Sequence, residues 1–236
     1  MGLTGSLPIT FSVVQYPVQF HGVSNDSRPT LVSGVIGTAY AMDLEADGGT
    51  QTGFAWTTTG TFPPGITAGP SPGCTGSSCA ATLLLSGTPT ATGIYPFTVP
   101  VTDSAGNGVG NYVVLVVNQT GAAPTITQAA LPLATIGTSY DYTFLASGGT
   151  GAIQWKLLGP LSEQSLAVSP SGALSVTPTL PNDCWGAPGQ YLPPHYSASN
   201  VFYVEALDSA GQADVEQFCC LHILRNRQLA TSSRQM

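Results

Sequence analysis

The stretches Val35-Ile-Gly-Thr-Ala-Tyr40 and Thr135-Ile-Gly-Thr-Ser-Tyr140 carry nearly the same residues at an offset of 100 positions. Each is followed by a Gly-Gly-Thr turn and then by a tryptophan, Trp56 in the first copy and Trp155 in the second. A repeat with so long a period indicates duplication of a whole domain and not a solenoid of short units.

The two copies also end alike. Asp-Ser-Ala-Gly occurs at 103–106 and at 208–211, and turn formers of this kind favour tight loops between strands, capped by their aspartates. The segments Tyr40–Ala46 and Tyr140–Leu145 alternate between apolar and polar residues, which is typical of strands with one buried face. The sequence therefore predicts an all-β fold with two tandem sandwiches, each with its tryptophan in the core, on a central strand.

The repeat also predicts domain boundaries. Residues 1–119 would form the first sandwich with an extra N-terminal segment, and residues 120–225 the second sandwich, with an aromatic insertion at 180–199. Residues 226–236 read as a C-terminal tail. By comparison with the start of the second copy, Leu7–Ser12 is the predicted first strand of the first sandwich.

Composition limits the classes of function. Hydrophobic residues make up 42% of the chain and charged residues 7%, so a packed core is expected and disorder is not. The net charge is −7, and three of the five basic residues, Arg225, Arg227 and Arg234, lie in the last dozen positions. Binding to nucleic acid needs a basic surface, so no such partner is expected. No apolar run is long enough to predict a membrane span.

Five motifs in the first copy carry a resemblance. After Ile-Gly-Thr-x-Tyr come Phe62-Pro-Pro-Gly-Ile66, Leu85-Ser-Gly-Thr-Pro-Thr90, Gly93-Ile-Tyr-Pro-Phe-Thr-Val99 and Thr102-Asp-Ser-Ala-Gly106. This order resembles the immunoglobulin-like, cadherin-like repeats of bacterial cell-surface proteins, over about residues 28–225. The second copy departs from it by lacking the Pro-Pro-Gly stretch. The resemblance implies two immunoglobulin-like sandwiches and an extracellular or cell-surface location, with other copies or other surface proteins as partners.

Five cysteines are present. Cys74 and Cys79 bracket a short flexible loop, and in an exported chain they are predicted to form a disulfide. Adjacent residues of a strand face opposite ways, so at most one of Cys219 and Cys220 reaches Cys184. We predict a Cys184–Cys219 bridge, with Cys220 either buried or paired between chains.

Asp43, Glu45 and Asp47 alternate on one predicted strand, and Asp103 lies in a turn. Calcium-binding carboxylates are a property of cadherin-like repeats, so these four residues are calcium candidates. Calcium needs six to eight oxygens from several segments, however, and the solvated face of a strand is the simpler interpretation. No other cofactor or metal is expected.

The insertion at 180–199 is the main difference between the copies. It holds Trp185, Tyr191, His195 and Tyr196 among glycines and prolines. Planar side chains on a long loop can stack on sugars or anchor a protein partner. The alternative is that they pack locally over the second sandwich.

No catalytic motif is present, and the three histidines His21, His195 and His222 lie far apart in the sequence. We therefore expect a non-enzymatic extracellular structural or adhesive module, such as a subunit of a surface filament or envelope assembly. In that case, Leu7–Tyr16 or an edge strand would complete a neighbour's sheet by strand addition. The alternative is a carbohydrate-binding accessory module that holds polysaccharide with the insertion.

Overall fold

The computed structural model describes residues 18–21, 31–71, 81–127, 131–132, 134–135, 137–159, 166–177 and 201–219. Within these ranges the regular elements are β-strands, which confirms the predicted all-β class. In this part of the chain, no helix has the length and apolarity that crossing a bilayer requires.

Nine strands of the described chain belong to the first sandwich. They are β1 (Gln19–His21), β2 (Gly34–Val35), β3 (Tyr40–Asp47), β4 (Ala55–Trp56), β5 (Thr59–Gly60), β6 (Ile66–Pro70), β7 (Thr82–Gly87), β8 (Gly93–Thr102) and β9 (Gly108–Asn118). One sheet has the order β1-β3-β7-β6, and the other has the order β2-β9-β8-β4, with β5 also paired to β8. Among the described strands of this sandwich, only β2 and β9 pair in parallel.

The first core lies between these two sheets. Alternation along β3 buries Met42 and Leu44 and leaves Glu45 in solvent, as the sequence pattern predicts. Met42 and Leu44 meet Phe97 and Leu115 from the facing sheet, and these four residues belong to one buried cluster. Burial of this apolar surface is the main force that holds the two sheets together.

Eight further strands belong to the second sandwich. They are β10 (Pro124–Ile126), β11 (Tyr140–Thr143), β12 (Ala146–Gly148), β13 (Gln154–Leu158), β14 (Ala167–Val168), β15 (Ala173–Val176), β16 (Val201–Leu207) and β17 (Ala213–Cys219). They pair in the orders β10-β12, β11-β15-β14 and β13-β16-β17. The strands follow each other around this sandwich as their counterparts do around the first.

The second core is separate from the first and is richer in aromatic residues. Phe144 stacks on Trp155 with 5.8 Å between ring centroids and also contacts Phe218 at 5.0 Å. Leu174 and Phe202 complete the centre of this buried cluster. Two separate cores confirm the predicted fold of two tandem sandwiches.

The two repeated tryptophans differ in their burial. Trp155 is 8% exposed and belongs to the second core, as predicted. Trp56 is half-buried and packs against the first core from its margin. The expectation of a central strand is wrong for both, because β4 and β13 each lie at the end of their described sheet. Trp155 still reaches the core because alternation along β13 points it inward.

The first described strand of the first sandwich is β1, and the predicted first strand stays untested. Gln19 pairs with Asp47 at the end of β3, just as Pro124 pairs with Gly148 at the end of β12. β1 therefore occupies the position predicted for Leu7–Ser12, which lies outside the described residues. Three residues of β1 are too short a run for alternation to reveal them in the sequence.

Candidate functional site

β9 is buried on both of its faces. Val113, Leu115 and Val117 point into the first core, whereas Val114 and Val116 point out of the first sandwich. Both outward valines are nevertheless buried, at 5% and 3% exposure. A strand that is covered on both sides reads as a continuous apolar run and not as an alternating one.

The outward valines contact the second sandwich. They belong to a third apolar cluster, which we call the interdomain cluster. This cluster joins the outer face of β8 and β9 in the first sandwich to the outer face of β13, β16 and β17 in the second. Its buried members are Val114, Val116, Tyr203, Ala213 and Val215, with Ile94, Tyr112, Leu158 and Leu207 partly buried around them. The two sandwiches therefore pack face to face through the outer sides of two sheets.

Asn118 and Ala213 form a reciprocal pair at one end of this contact. The Asn118 Nδ2 donates to the Ala213 carbonyl at 2.8 Å, and the Ala213 N–H donates to the Asn118 Oδ1 at 2.8 Å. Asn118 is buried, so water does not compete freely for these two hydrogen bonds. A side-chain amide that satisfies both backbone groups of one residue acts as a single rung of a β-ladder between the sandwiches.

Tyr112 and Tyr203 fix the other end. Their rings lie 5.2 Å apart at 58°, and the Tyr203 hydroxyl donates to the Tyr112 carbonyl. Burial raises the pKa of Tyr203, and repulsion from Tyr112 adds to that shift. Gly159 makes this approach possible, since a Cβ there would lie 3.1 Å from the Tyr112 ring. The hydrogen bond and the ring contact join the two sheets at this end of the cluster.

A groove of about 320 Å³ opens beside the interdomain cluster. Ile94, Pro96 and Asn118 line it from the first sandwich, and Lys156 and Glu205 line it from the second. Glu205 is only 6% exposed, and burial raises its pKa against the opposing charge of Lys156. This places a buried carboxylate at the junction of the two sandwiches.

Residues 22–118 match the family model described as "Putative Ig domain". This match covers most of the first sandwich. The second sandwich follows the same strand order, so the chain is two immunoglobulin-like domains in tandem.

Several solved structures of tandem domains are similar to the chain. The N-terminal Ig1-2 module of the Drosophila receptor protein tyrosine phosphatase DLAR is 15% identical, covers 89% of this chain and 100% of its own, and has a TM-score of 0.31. The titin domains z1z2 in complex with telethonin are 13% identical over 86% and 95% of the two chains, with a TM-score of 0.30. Protocadherin gamma B2 domains 1–5 are 13% identical over 92% and 42%, with a TM-score of 0.33. None of the curated proteins matches.

The repeated aspartates organise the same turn in both immunoglobulin-like domains, as predicted. Asp103 accepts hydrogen bonds from the N–H groups of Thr50, Ala105 and Asn107, each at 2.9 Å. Asp208 accepts the equivalent bonds from Thr150, Ala210 and Gln212 at 2.8–2.9 Å. Each aspartate thus ties its own turn to the Gly-Gly-Thr turn of its own domain. This is a structural role that the sequence repeat alone indicated.

The calcium candidates do not come together as a metal site in the described residues. Glu45 and Asp47 are exposed and Asp43 is half-buried on β3, whereas both carboxylate oxygens of Asp103 accept hydrogen bonds from its own turn and from Thr50. Within the described ranges, no group of three or more His, Cys, Asp and Glu side chains could hold a metal ion. Calcium binding to the immunoglobulin-like domains therefore stays a prediction without support from this geometry.

The other predicted sites lie outside the described residues. These are the aromatic residues of the insertion, Trp185, Tyr191, His195 and Tyr196, and the cysteines Cys74, Cys79, Cys184 and Cys220. Cys219 is the last residue of β17, but its side chain is outside the description. The disulfides and the sugar-stacking role of the insertion stay predictions.

The interdomain cluster is the feature that sequence reasoning missed. Its signal was present in two apolar runs, Tyr112–Val117 and Val201–Val204, which do not alternate. In a sandwich with one solvated face every second residue should be polar, so such runs indicate a second covered face. Which surface covers it could not be inferred, because contacts between residues 95 positions apart leave no local pattern.

Proposed function

We propose that this chain is a non-enzymatic structural or adhesive module at the cell surface, in which two immunoglobulin-like domains act as one rigid block. The observation that supports this proposal is the face-to-face packing through the interdomain cluster. Neighbouring domains in one chain usually share small, polar contacts and move relative to each other. Here an apolar centre with directional bonds at both ends opposes that motion.

The surface composition favours protein contacts. Charged residues are 7% of the chain, and charged residues are depleted in the cores of protein interfaces. A surface rich in Thr, Ser and Gly has little long-range repulsion between copies, apart from the net charge of −7. The partners that fit best are other copies of this chain or other surface proteins.

One form of such an assembly is a filament joined by strand addition. Leu7, Ile9, Phe11 and Val13 alternate with other residues in the sequence ahead of β1, which is the pattern of a strand with one apolar face. An added strand contributes backbone hydrogen bonds, and its alternate side chains fill pockets of the recipient domain. We propose that this segment completes a sheet of a neighbouring copy.

Electron microscopy and light scattering of the purified chain would test the assembly, with a variant that lacks residues 1–16 for comparison. We expect concentration-dependent assemblies of the full chain and monomers of the shortened chain, with the same thermal midpoint because β1 is intact. Ile9→Asp and Phe11→Asp should also prevent assembly. Thr10→Asp and Ser12→Asp, at the alternate positions, should not. A full chain that stays monomeric at every concentration would refute self-assembly, and equal behaviour of all four variants would refute strand addition.

A further inference from the structure

The groove beside the interdomain cluster has the size of a ligand site. Its volume of about 320 Å³ lies at the lower end of the range for small-molecule pockets. Both domains contribute to its walls, with Ile94 and Pro96 on one side and Leu158 and Leu207 on the other. An apolar wall of this kind suits a short aliphatic chain.

Glu205 supplies the polar group of the groove. Alternation along β16 points Phe202, Val204 and Ala206 into the second core, so Glu205 faces the first domain. No hydrogen-bond donor among the described residues reaches its carboxylate, and only burial and the charge of Lys156 affect its pKa. An ionised carboxylate that is buried without a hydrogen-bond donor is costly.

Lys156 does not satisfy this carboxylate. It lies opposite Glu205 in the register of β13 and β16, but it is exposed and forms no ion pair with it in the described structure. Its flexible stem allows the ammonium to remain in water. The groove is therefore lined by an acceptor that has no donor among the described residues.

We propose that the groove binds a guanidinium or primary ammonium group on a short aliphatic stem, with Glu205 as the acceptor. A cation supplies both the missing donors and the opposite charge, and a charge-assisted hydrogen bond is about twice as strong as a neutral one. The net charge of −7 also draws cations toward the chain. This inference concerns a site within one copy and does not depend on the proposed assembly.

Such a group has two sources. One is the chain itself, because Arg225, Arg227 and Arg234 are three of its five basic residues and follow β17 closely in the sequence. The other is a separate cation, such as a basic side chain of another protein. Both sources share one chemistry at Glu205, and they are separated by removing the residues after Leu224.

A titration of the full chain followed by nuclear magnetic resonance would test the site. The probe is N-acetyl-arginine amide, with N-acetyl-citrulline amide as its neutral counterpart, and the reporters are the backbone amides of Leu207 and Ala213. We expect saturable shifts with the arginine probe and affinity at least about tenfold lower with citrulline. Loss of this difference would overturn the proposal, since a neutral polar ligand would then serve equally well.

Three variants assign the binding to this carboxylate. Glu205→Gln should lower the affinity for the arginine probe by about tenfold, while Lys156→Gln should raise it by about twofold to fivefold because it removes a competing cation. Glu45→Gln, on an exposed face of the first domain, should leave the affinity unchanged. If the groove has only a structural role, Glu205→Gln and Lys156→Gln should change the affinity in the same direction. That result, or the absence of saturable binding, would overturn the proposal.

If a chain ending at Leu224 binds the probe more tightly than the full chain, the tail is the source of the cation; equal affinity indicates a separate cation.

Discussion

The side chain of Asn118, at the end of β9, exchanges two hydrogen bonds of 2.8 Å with the backbone of Ala213, at the start of β17. The two residues are 95 positions apart and belong to different domains. Apolar contacts are non-directional, so the valines of the interdomain cluster permit sliding between the sheets. The Asn118–Ala213 pair removes that freedom because its geometry allows one register.

Replacing Asn118 by alanine should therefore destabilise the domain pair. The substitution leaves the buried N–H and carbonyl of Ala213 without partners, which costs about 2–4 kcal/mol in the free energy of unfolding. Urea unfolding at 25 °C measures this change. Asn111→Ala, at a half-buried position of the same strand, serves as control and should change the free energy by less than about 0.5 kcal/mol. An equally small effect at Asn118 would contradict the role assigned to the pair.

A charge in the interdomain cluster should separate the domains without unfolding them. Val116→Asp places a carboxylate against Val215 and Ala213, where it lacks partners and costs several kcal/mol. Since Val116 points away from the first core, each domain should keep its own fold. Small-angle X-ray scattering should show a larger radius of gyration, and the far-ultraviolet circular dichroism spectrum should be unchanged.

The matched control for that experiment is Val32→Asp, since Val32 is 69% exposed. It adds the same charge to the same domain without touching the cluster. The radius of gyration of this control should equal that of the original chain. If Val116→Asp gave the same radius as well, the face-to-face contact would not hold the domains together in solution.

Much of the fold could be predicted because its determinants are local. Period-two alternation along β3 and the repeated Asp-Ser-Ala-Gly turns fixed the class, the number of domains and the role of Asp103. The prediction of a central strand for Trp56 was wrong because the order of strands in a sheet depends on pairing between strands that are distant in the sequence. A strand of two residues carries no pattern that reveals its neighbours. Glu205 escaped notice for a similar reason. On its own strand it is an ordinary outward-facing glutamate, and its burial beside the groove between the two domains leaves no local pattern.

Acid should weaken the first domain through Asp103. Burial pushes the pKa of Asp103 upward, but hydrogen bonds from the Asn107 side chain and from the N–H groups of Thr50, Asn107 and Ala105 outweigh it and lower the pKa to about 2. A carboxyl with a lowered pKa stabilises the folded state above its ordinary pKa near 3.8. That contribution is lost as the pH falls toward about 2. Asp103→Asn should lower the free energy of unfolding at pH 7. It should also reduce the loss of stability between pH 3.8 and about 2.

Urea midpoints of the two proteins at pH 7, 4 and 2.5 measure this prediction. Glu45→Gln, which changes an exposed carboxyl on β3, is the control and should follow the original chain at each pH. If Asp103→Asn and the original chain lost stability in parallel between pH 4 and 2.5, the turn hydrogen bonds would not be the cause of the acid sensitivity.

Adding a methyl group at Gly172 should destabilise the second domain alone. Gly172 has a φ of +88°, and a Cβ there would lie 2.9 Å from the Trp155 Nε1. Gly172→Ala combines backbone strain with a displaced indole, so a loss of about 1–3 kcal/mol is expected. Gly211→Ala, with a φ of +79° but open space around its Cβ, isolates the backbone part of that loss. Tryptophan fluorescence should shift in the first variant and not in the second.

Ionisation of Glu205 should oppose folding, in contrast to that of Asp103. Burial raises the pKa of Glu205 and Lys156 only partly offsets this, so the carboxyl holds its proton more strongly in the folded chain than in the unfolded chain. Stability from this residue is complete below its ordinary pKa of about 4.5 and is lost as the pH rises through the raised value. Glu205→Gln, which copies the neutral form, should match the original chain at pH 4 and exceed it in thermal midpoint at pH 8. Equal midpoints at both pH values would mean that the carboxylate has a donor in solution. A higher thermal midpoint of Glu205→Gln at pH 8 would mean that the ionised carboxylate lowers the stability of the chain. This cost is expected of a residue that binds a ligand and does not stabilise the fold.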